Sequence, residues 1–137
     1  MITQTFHMQN KLQDIDPTVL SVMAAVEGRL GSDTRFNVEV CITEALTNLV
    51  LHACGGKSSP IRINLMLTHD RLCIEVFDPK GATPFDLRDF GPRLSQVDVL
   101  AESGRGLSLI KDCADTLEYG PVDGHHRLAM TFRTGVA

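Results

Sequence analysis

An excess of positive charge is missing from this sequence. Thirteen Lys and Arg stand against seventeen Asp and Glu, a net charge of −4, so no surplus of cations is available to neutralise a phosphate backbone and general nucleic-acid binding is disfavoured. Metal-type cysteine spacing is missing too. Cys41, Cys54, Cys73 and Cys113 form no CxxC pair and have no His at a neighbouring ligand interval. Three of the four sit in apolar stretches, as small buried residues of a reduced protein do. No apolar run reaches the roughly 18 residues of a membrane span, and residues 1–11 lack the charged-then-apolar order of a signal peptide. A cytoplasmic protein without membrane association is therefore expected. Repeats and low-complexity tracts are absent.

What is there is an ordinary globular composition: 137 residues, 43% apolar and 22% charged. That length fits one domain spanning 1–137, able to bury roughly two-thirds of its unfolded surface. Ile2, Phe6 and Met8 alternate, which predicts a first strand. Asp16 and Pro17 read as an N-cap and first helical residue, and Val19, Val22, Met23, Val26 and Leu30 follow at helical spacing before Gly31. A second helix is expected from about 35 to about 54, ended by Gly55 and Gly56. From Pro60 the period becomes two: Ile61, Ile63, Leu65 and Leu67, a turn at His69 and Asp70, then Leu72, Ile74 and Val76 make a hairpin. Pro79, Gly81, Pro84, Gly91 and Pro92 break any period between 78 and 103, and a loop of this length in a small domain is usually functional or mobile. A third helix from about Gly106 and a closing hairpin, 116–119 and 126–133 across Asp123 and Gly124, complete the chain.

Three places carry possible chemistry. In the second helix Glu44, Asn48 and His52 are spaced four apart, drifting only about 40° per step, so they share one face. Ile42, Leu46, Leu49 and Ala53 point roughly the other way. A solvated helix face produces such a stripe as well, but Asn48 is a mediocre helix former, more often kept where its amide oxygen is needed. The strand over 72–77 runs into Asp78, Pro79, Lys80 and Gly81. That places an acceptor-only carboxylate at a strand end, able to accept from an exocyclic amine, and a glycine that lets a flat ligand approach; ordinary turn chemistry is the competing explanation. Ser103, Gly104, Arg105 and Gly106 open into the third helix, where free N–H groups and the positive end of a helix dipole suit an anion as well as a plain flexible turn.

Two familiar phosphate motifs fail. Gly56, Lys57 and Ser58 imitate the end of a P-loop, but Leu51 stands where its first glycine belongs and the segment follows a helix. Gly104 and Gly106 lack the third glycine of a dinucleotide fingerprint, because position 109 is Leu. His125 and His126 stand in a predicted turn without a third ligand, which argues against a metal.

In order along the chain, EALTNLVLH over 44–52, DPKG over 78–81 and GRGL over 104–107 resemble the N, G1 and G2 boxes of the GHKL ATP-binding fold. More narrowly, the chain resembles the bacterial anti-sigma-factor serine/threonine-protein kinases of the partner-switching type, with PFD at 84–86. The resemblance spans nearly the whole chain and implies an α+β fold: a two-layer sandwich with a mixed, mostly antiparallel sheet and about three helices on one face. An ATP lid would cover roughly 82–103. The resemblance makes Glu44 the catalytic base, Asn48 the Mg2+ ligand, and Asp78 with Gly81 the adenine site. Gly104, Arg105, Gly106 and Leu107 would hold phosphates, His52 would join the nucleotide site, and Thr131 matches a threonine near the adenine. DPKG departs from the usual Asp-x-Gly of the G1 box. The implied function is Mg-ATP-dependent phosphorylation of a serine on a STAS-type antagonist, with sequestration of a sigma factor or another target, and a homodimer is compatible with it. A nucleotide-gated binding module that transfers no phosphate is the alternative, and Glu44 favours the kinase. A sensor histidine kinase would need a dimerisation element with an acceptor His before the N box, and the first helix contains no His.

Overall fold

The computed structural model describes residues 1–52, 59–79, 110, 113–122 and 125–135. In chain order these form β1 (Ile2–Met8), a 3-10 turn (Leu12–Asp14), α1 (Ile15–Ala25), α2 (Ser32–His52), β2 (Ile61–Leu67), β3 (Arg71–Phe77), β4 (Thr116–Val122) and β5 (His125–Arg133). Ile110 and Cys113 are helical, and the Ala114 N–H donates to the Ile110 carbonyl at 2.9 Å. The third helix's expected start and the 82–103 segment lie outside the described residues.

The strands make one five-stranded sheet in the order β1-β2-β3-β5-β4. Every pairing is antiparallel, where a mixed, mostly antiparallel sheet is expected. The β2–β3 hairpin turns at His69 and Asp70 as its alternation predicts, closed by the Thr68 N–H donating to the Arg71 carbonyl at 2.8 Å. Register places Ile63, Leu65, Ile74, Val76, Leu128 and Met130 on one face. They are buried together with Val22 and Met23 of α1 and Val38, Ile42 and Leu46 of α2. Hydrophobic burial of these side chains holds the helix layer on the sheet.

Both helices depart from their expected ends. α1 is capped at Asp14 rather than Asp16, so Pro17 is its third residue, still within the first turn where a missing N–H breaks no helical bond. It stops at Ala25, before Leu30, because Gly28 adopts φ 74°, the left-handed region, and turns the chain. Val26 and Leu30 keep helical spacing because both pack on the core after the helix has ended. α2 starts at Ser32, three residues earlier than expected, since the Gly31 carbonyl already accepts from the Arg35 N–H at 2.8 Å. Gly31 is there for closeness: a Cβ on it would lie 2.8 Å from the Gly135 carbonyl oxygen. The Gly31 N–H donates to the Thr134 carbonyl at 2.8 Å, binding the segment after β5 to the head of α2. The C-terminal end expected for α2 near 54–56 lies outside the described residues.

Candidate functional site

A pocket lies between α2 and the inner face of the sheet where β3, β5 and β4 are neighbours. Ala45, Leu49, Val76 and Leu128 form its apolar walls, and Asn48, Asp78 and Tyr119 supply its polar groups. Apolar walls with a few converging polar side chains are what a small-molecule site requires.

Asn48 is 4% exposed, so this member of the stripe does not belong to a solvated face. Its Nδ2 donates to the Glu44 carbonyl one turn earlier at 2.7 Å. With the amide nitrogen committed to the backbone, the amide oxygen is the group Asn48 has to offer the pocket, and oxygen is what a hard cation takes. Glu44 is partly buried one turn away on the same helix face. Thr47 Oγ1 donates to the Thr43 carbonyl at 2.7 Å, so the neighbouring hydroxyl serves the helix itself. Among the described residues, no group of three or more His, Cys, Asp or Glu is placed to hold a metal.

Asp78 follows β3 directly and is 8% exposed. Its N–H donates to the His126 carbonyl at 2.9 Å, and its Oδ2 accepts from the Tyr119 hydroxyl. The rings of Tyr119 and His126 stack with centroids 5.9 Å apart and planes 20° from parallel. His126 lies within β5, not in a turn, and its ring packs beside the site. Neither Tyr119 nor His126 emerged from the sequence as a site residue. The signal that would have found Tyr119 is the pairing Tyr119↔Leu128 beside Val76↔Leu128, which needs the strand order.

Thr131 does not join this pocket. It pairs with Cys73 across β3 and with Thr116 across β4, and these residues face away from the helices because the side-chain period of a strand is two. There it hydrogen-bonds Cys73, partly opposing the burial that pushes that thiol up. The structure thus brings Glu44, Asn48 and Asp78 to one side of the sheet and leaves Thr131 on the other. Gly81, Gly104, Arg105, Gly106, Leu107 and the side chain of His52 lie outside the described residues. Just beyond the glycine pair, Ile110 is fully buried, and its carbonyl accepts from Cys41 Sγ of α2 at 3.8 Å. Ile110 is therefore held to the helix that carries Glu44 and Asn48. Burial pushes the Cys41 thiol up to about 12, so it is an inert packing group at neutral pH.

The chain is 35% identical over 89 residues to the serine-protein kinase RsbW of Bacillus pumilus, a match spanning 60% of this chain and 55% of that relative. It is 29% identical over 109 residues to the serine/threonine-protein kinase BtrW of Bordetella bronchiseptica, spanning 78% and 76%. To the serine-protein kinase RsbW of Bacillus cereus (strain Q1) it is 33% identical over 104 residues, spanning 70% and 64%. The chain thus spans little more than half the length of the first of these relatives. No helix among the described residues is long and apolar enough to cross a membrane. Residues 8–132 match the family model of the histidine kinase-like ATPase domain, and with an α+β sandwich that sets the asparagine of one helix and the aspartate after a central strand around one pocket, the chain belongs to that ATP-binding family.

Proposed function

We propose that the chain is a serine protein kinase of the anti-sigma-factor type, which binds Mg-ATP between α2 and the sheet and phosphorylates a serine of a STAS-type antagonist. When that antagonist is unavailable it holds a sigma factor or another target, so that the two partners compete. The observation that carries the reading is the placement of Glu44 one turn before a buried Asn48 that lines the same pocket as Asp78. The names of the relatives, serine-protein kinases in each case, support it.

In this reading the Asp78 carboxylate accepts from the adenine amine, and the ring rests against Val76, Leu49 and Leu128. Asn48 holds magnesium through its amide oxygen; the ion, when bound, neutralises charge on the phosphates. Backbone N–H groups of Gly104 and Gly106 would meet the phosphates, with Arg105 and Leu107 beside them. The substrate serine hydroxyl attacks the γ-phosphorus, the bond to the β–γ bridging oxygen breaks, and ADP leaves. Glu44 accepts the hydroxyl proton. Positioning and charge neutralisation supply most of the acceleration.

The test is to incubate the protein with magnesium, labelled ATP and STAS proteins from the same genome, and to look for phosphoserine. Glu44→Ala is expected to lower transfer by about a hundredfold or more, the worth of a general base, while calorimetry finds ATP affinity retained. Unchanged transfer would reject Glu44 as the base. Nucleotide binding with no phosphoserine on any candidate would instead support a nucleotide-gated binding module.

A further inference from the structure

We infer that Tyr119 is a positioning residue for base selection: its hydroxyl holds the Asp78 carboxylate in the orientation that accepts a purine amine and disfavours a purine carbonyl. The inference rests on the proposed reading of the pocket as an adenine nucleotide site.

Two contacts from two strands converge on Asp78. β5 fixes its backbone, through the His126 carbonyl accepting the Asp78 N–H at 2.9 Å. β4 fixes its side chain, through the Tyr119 hydroxyl donating to Oδ2. The Tyr119 ring is in turn set by its stack on His126 and by its place opposite Leu128 on the inner face of the sheet. Asp78 is the residue immediately after β3, and its N–H bond to His126 continues the β3–β5 ladder past Phe77↔Arg127. The tyrosine belongs to an edge strand and reaches the carboxylate across β5.

This arrangement decides which ligand edge is welcome. An ionised carboxylate offers only acceptors, so it pairs with an amine and repels a carbonyl oxygen at the same place. A tyrosine hydroxyl is ambivalent, donor and acceptor, and by itself would tolerate either edge. Because its proton is directed to Asp78 Oδ2, the hydroxyl presents no donor to a carbonyl and the carboxylate's polarity governs. Removing the hydroxyl takes away one restraint on the orientation of the carboxylate, and the preference for an amine weakens with it. Sites built around a buried hydrogen-bonding group discriminate by the cost of leaving that group badly paired.

The experiment compares dissociation constants for ATP and inosine triphosphate, which differ at this edge by an amine against a carbonyl, in the unmodified protein and in Tyr119→Phe. The expected outcome is a preference for ATP in the unmodified protein that shrinks by about tenfold in the variant, the worth of one hydrogen bond to a charged group. A variant that binds both nucleotides more weakly in an unchanged ratio would overturn the inference and leave the tyrosine a packing residue. If the unmodified protein binds neither nucleotide, the nucleotide-site reading fails, and this inference with it. A second measurement needs no substitution. Tyr119 is the only tyrosine, and the chain has no tryptophan, so its emission reports on one phenol, and a phenol donating to a carboxylate is quenched. Saturating ATP is expected to leave that quenching in place, because the hydroxyl keeps its bond to Asp78 when the base is held, and emission that rises to that of a free phenol at full occupancy would also overturn the inference.

Discussion

The two faces of the sheet are made from the same strands and do different work. At one level of the ladder Leu65 pairs with Ile74 and Ile74 with Met130, all at 0% exposure beneath the helices. One residue along, Asn64 pairs with Glu75, whose carboxylate also lies 3.1 Å from Nε of Arg127. Thr5 Oγ1 donates to Asn64 Oδ1 at 3.1 Å, and Arg62 sits 3.9 Å above the Phe77 ring. The outer face thus handles its polar groups by cross-strand pairs, each of modest worth. On the inner face a polar side chain has to be justified against an apolar background. Asn48 and Asp78 are buried polar groups on that side, and with Tyr119 they meet in the pocket.

The largest contrast between the faces should appear on truncation. Ile74→Ala is expected to cost about 2–5 kcal/mol, as large-to-small core changes do, read from the urea midpoint at constant slope. Its neighbour Asn64→Ala on the other face should cost about 1 kcal/mol or less. Equal losses would erase the distinction.

The thiols sharpen it at alkaline pH. Cys41, on the helix side, is held protonated by burial up to about 12 against an ordinary 9.0. The unfolded thiol therefore ionises first, and the native state binds more protons as pH rises from 9 toward 12. Stability falls across that window and is unaffected by this group below it. Cys41→Ala should flatten the alkaline loss in a pH series of denaturation midpoints; an unchanged slope would contradict the burial. Cys73, half-buried on the outer face, should react with iodoacetamide while Cys41 stays protected in the folded protein. Smallest of all is the Glu75 and Arg127 pair, whose side chains are 16% and 22% exposed. A double-mutant cycle should return about 0.5–1 kcal/mol of coupling, reduced by salt. A value of several kcal/mol would mean that the outer face is a second core.

Much of this contrast is visible as letters. Ile61, Ile63, Leu65 and Leu67 alternate strictly, so both the β2–β3 hairpin and its buried face follow from period two. The face shared by Glu44 and Asn48 follows from the spacing of four. Boundaries were harder to read, because α1 ends at Ala25 while Val26 and Leu30 continue its pattern. Burial after a turn mimics burial along a helix. Thr131 carries the sharper lesson: matching a motif position does not say which face a strand residue takes, and here its pairing with Cys73 turns it away from Asp78.

Local order therefore settled which segments are helix and strand, which stripe faces the core, and that a carboxylate follows β3, since each depends on neighbours a few residues apart. Only the folded chain decided that Tyr119 and His126 would meet Asp78, and that Thr131 would not. Those relations join β3, β5 and β4, and the order of strands in a sheet is set by packing between residues far apart along the chain, which no local period encodes.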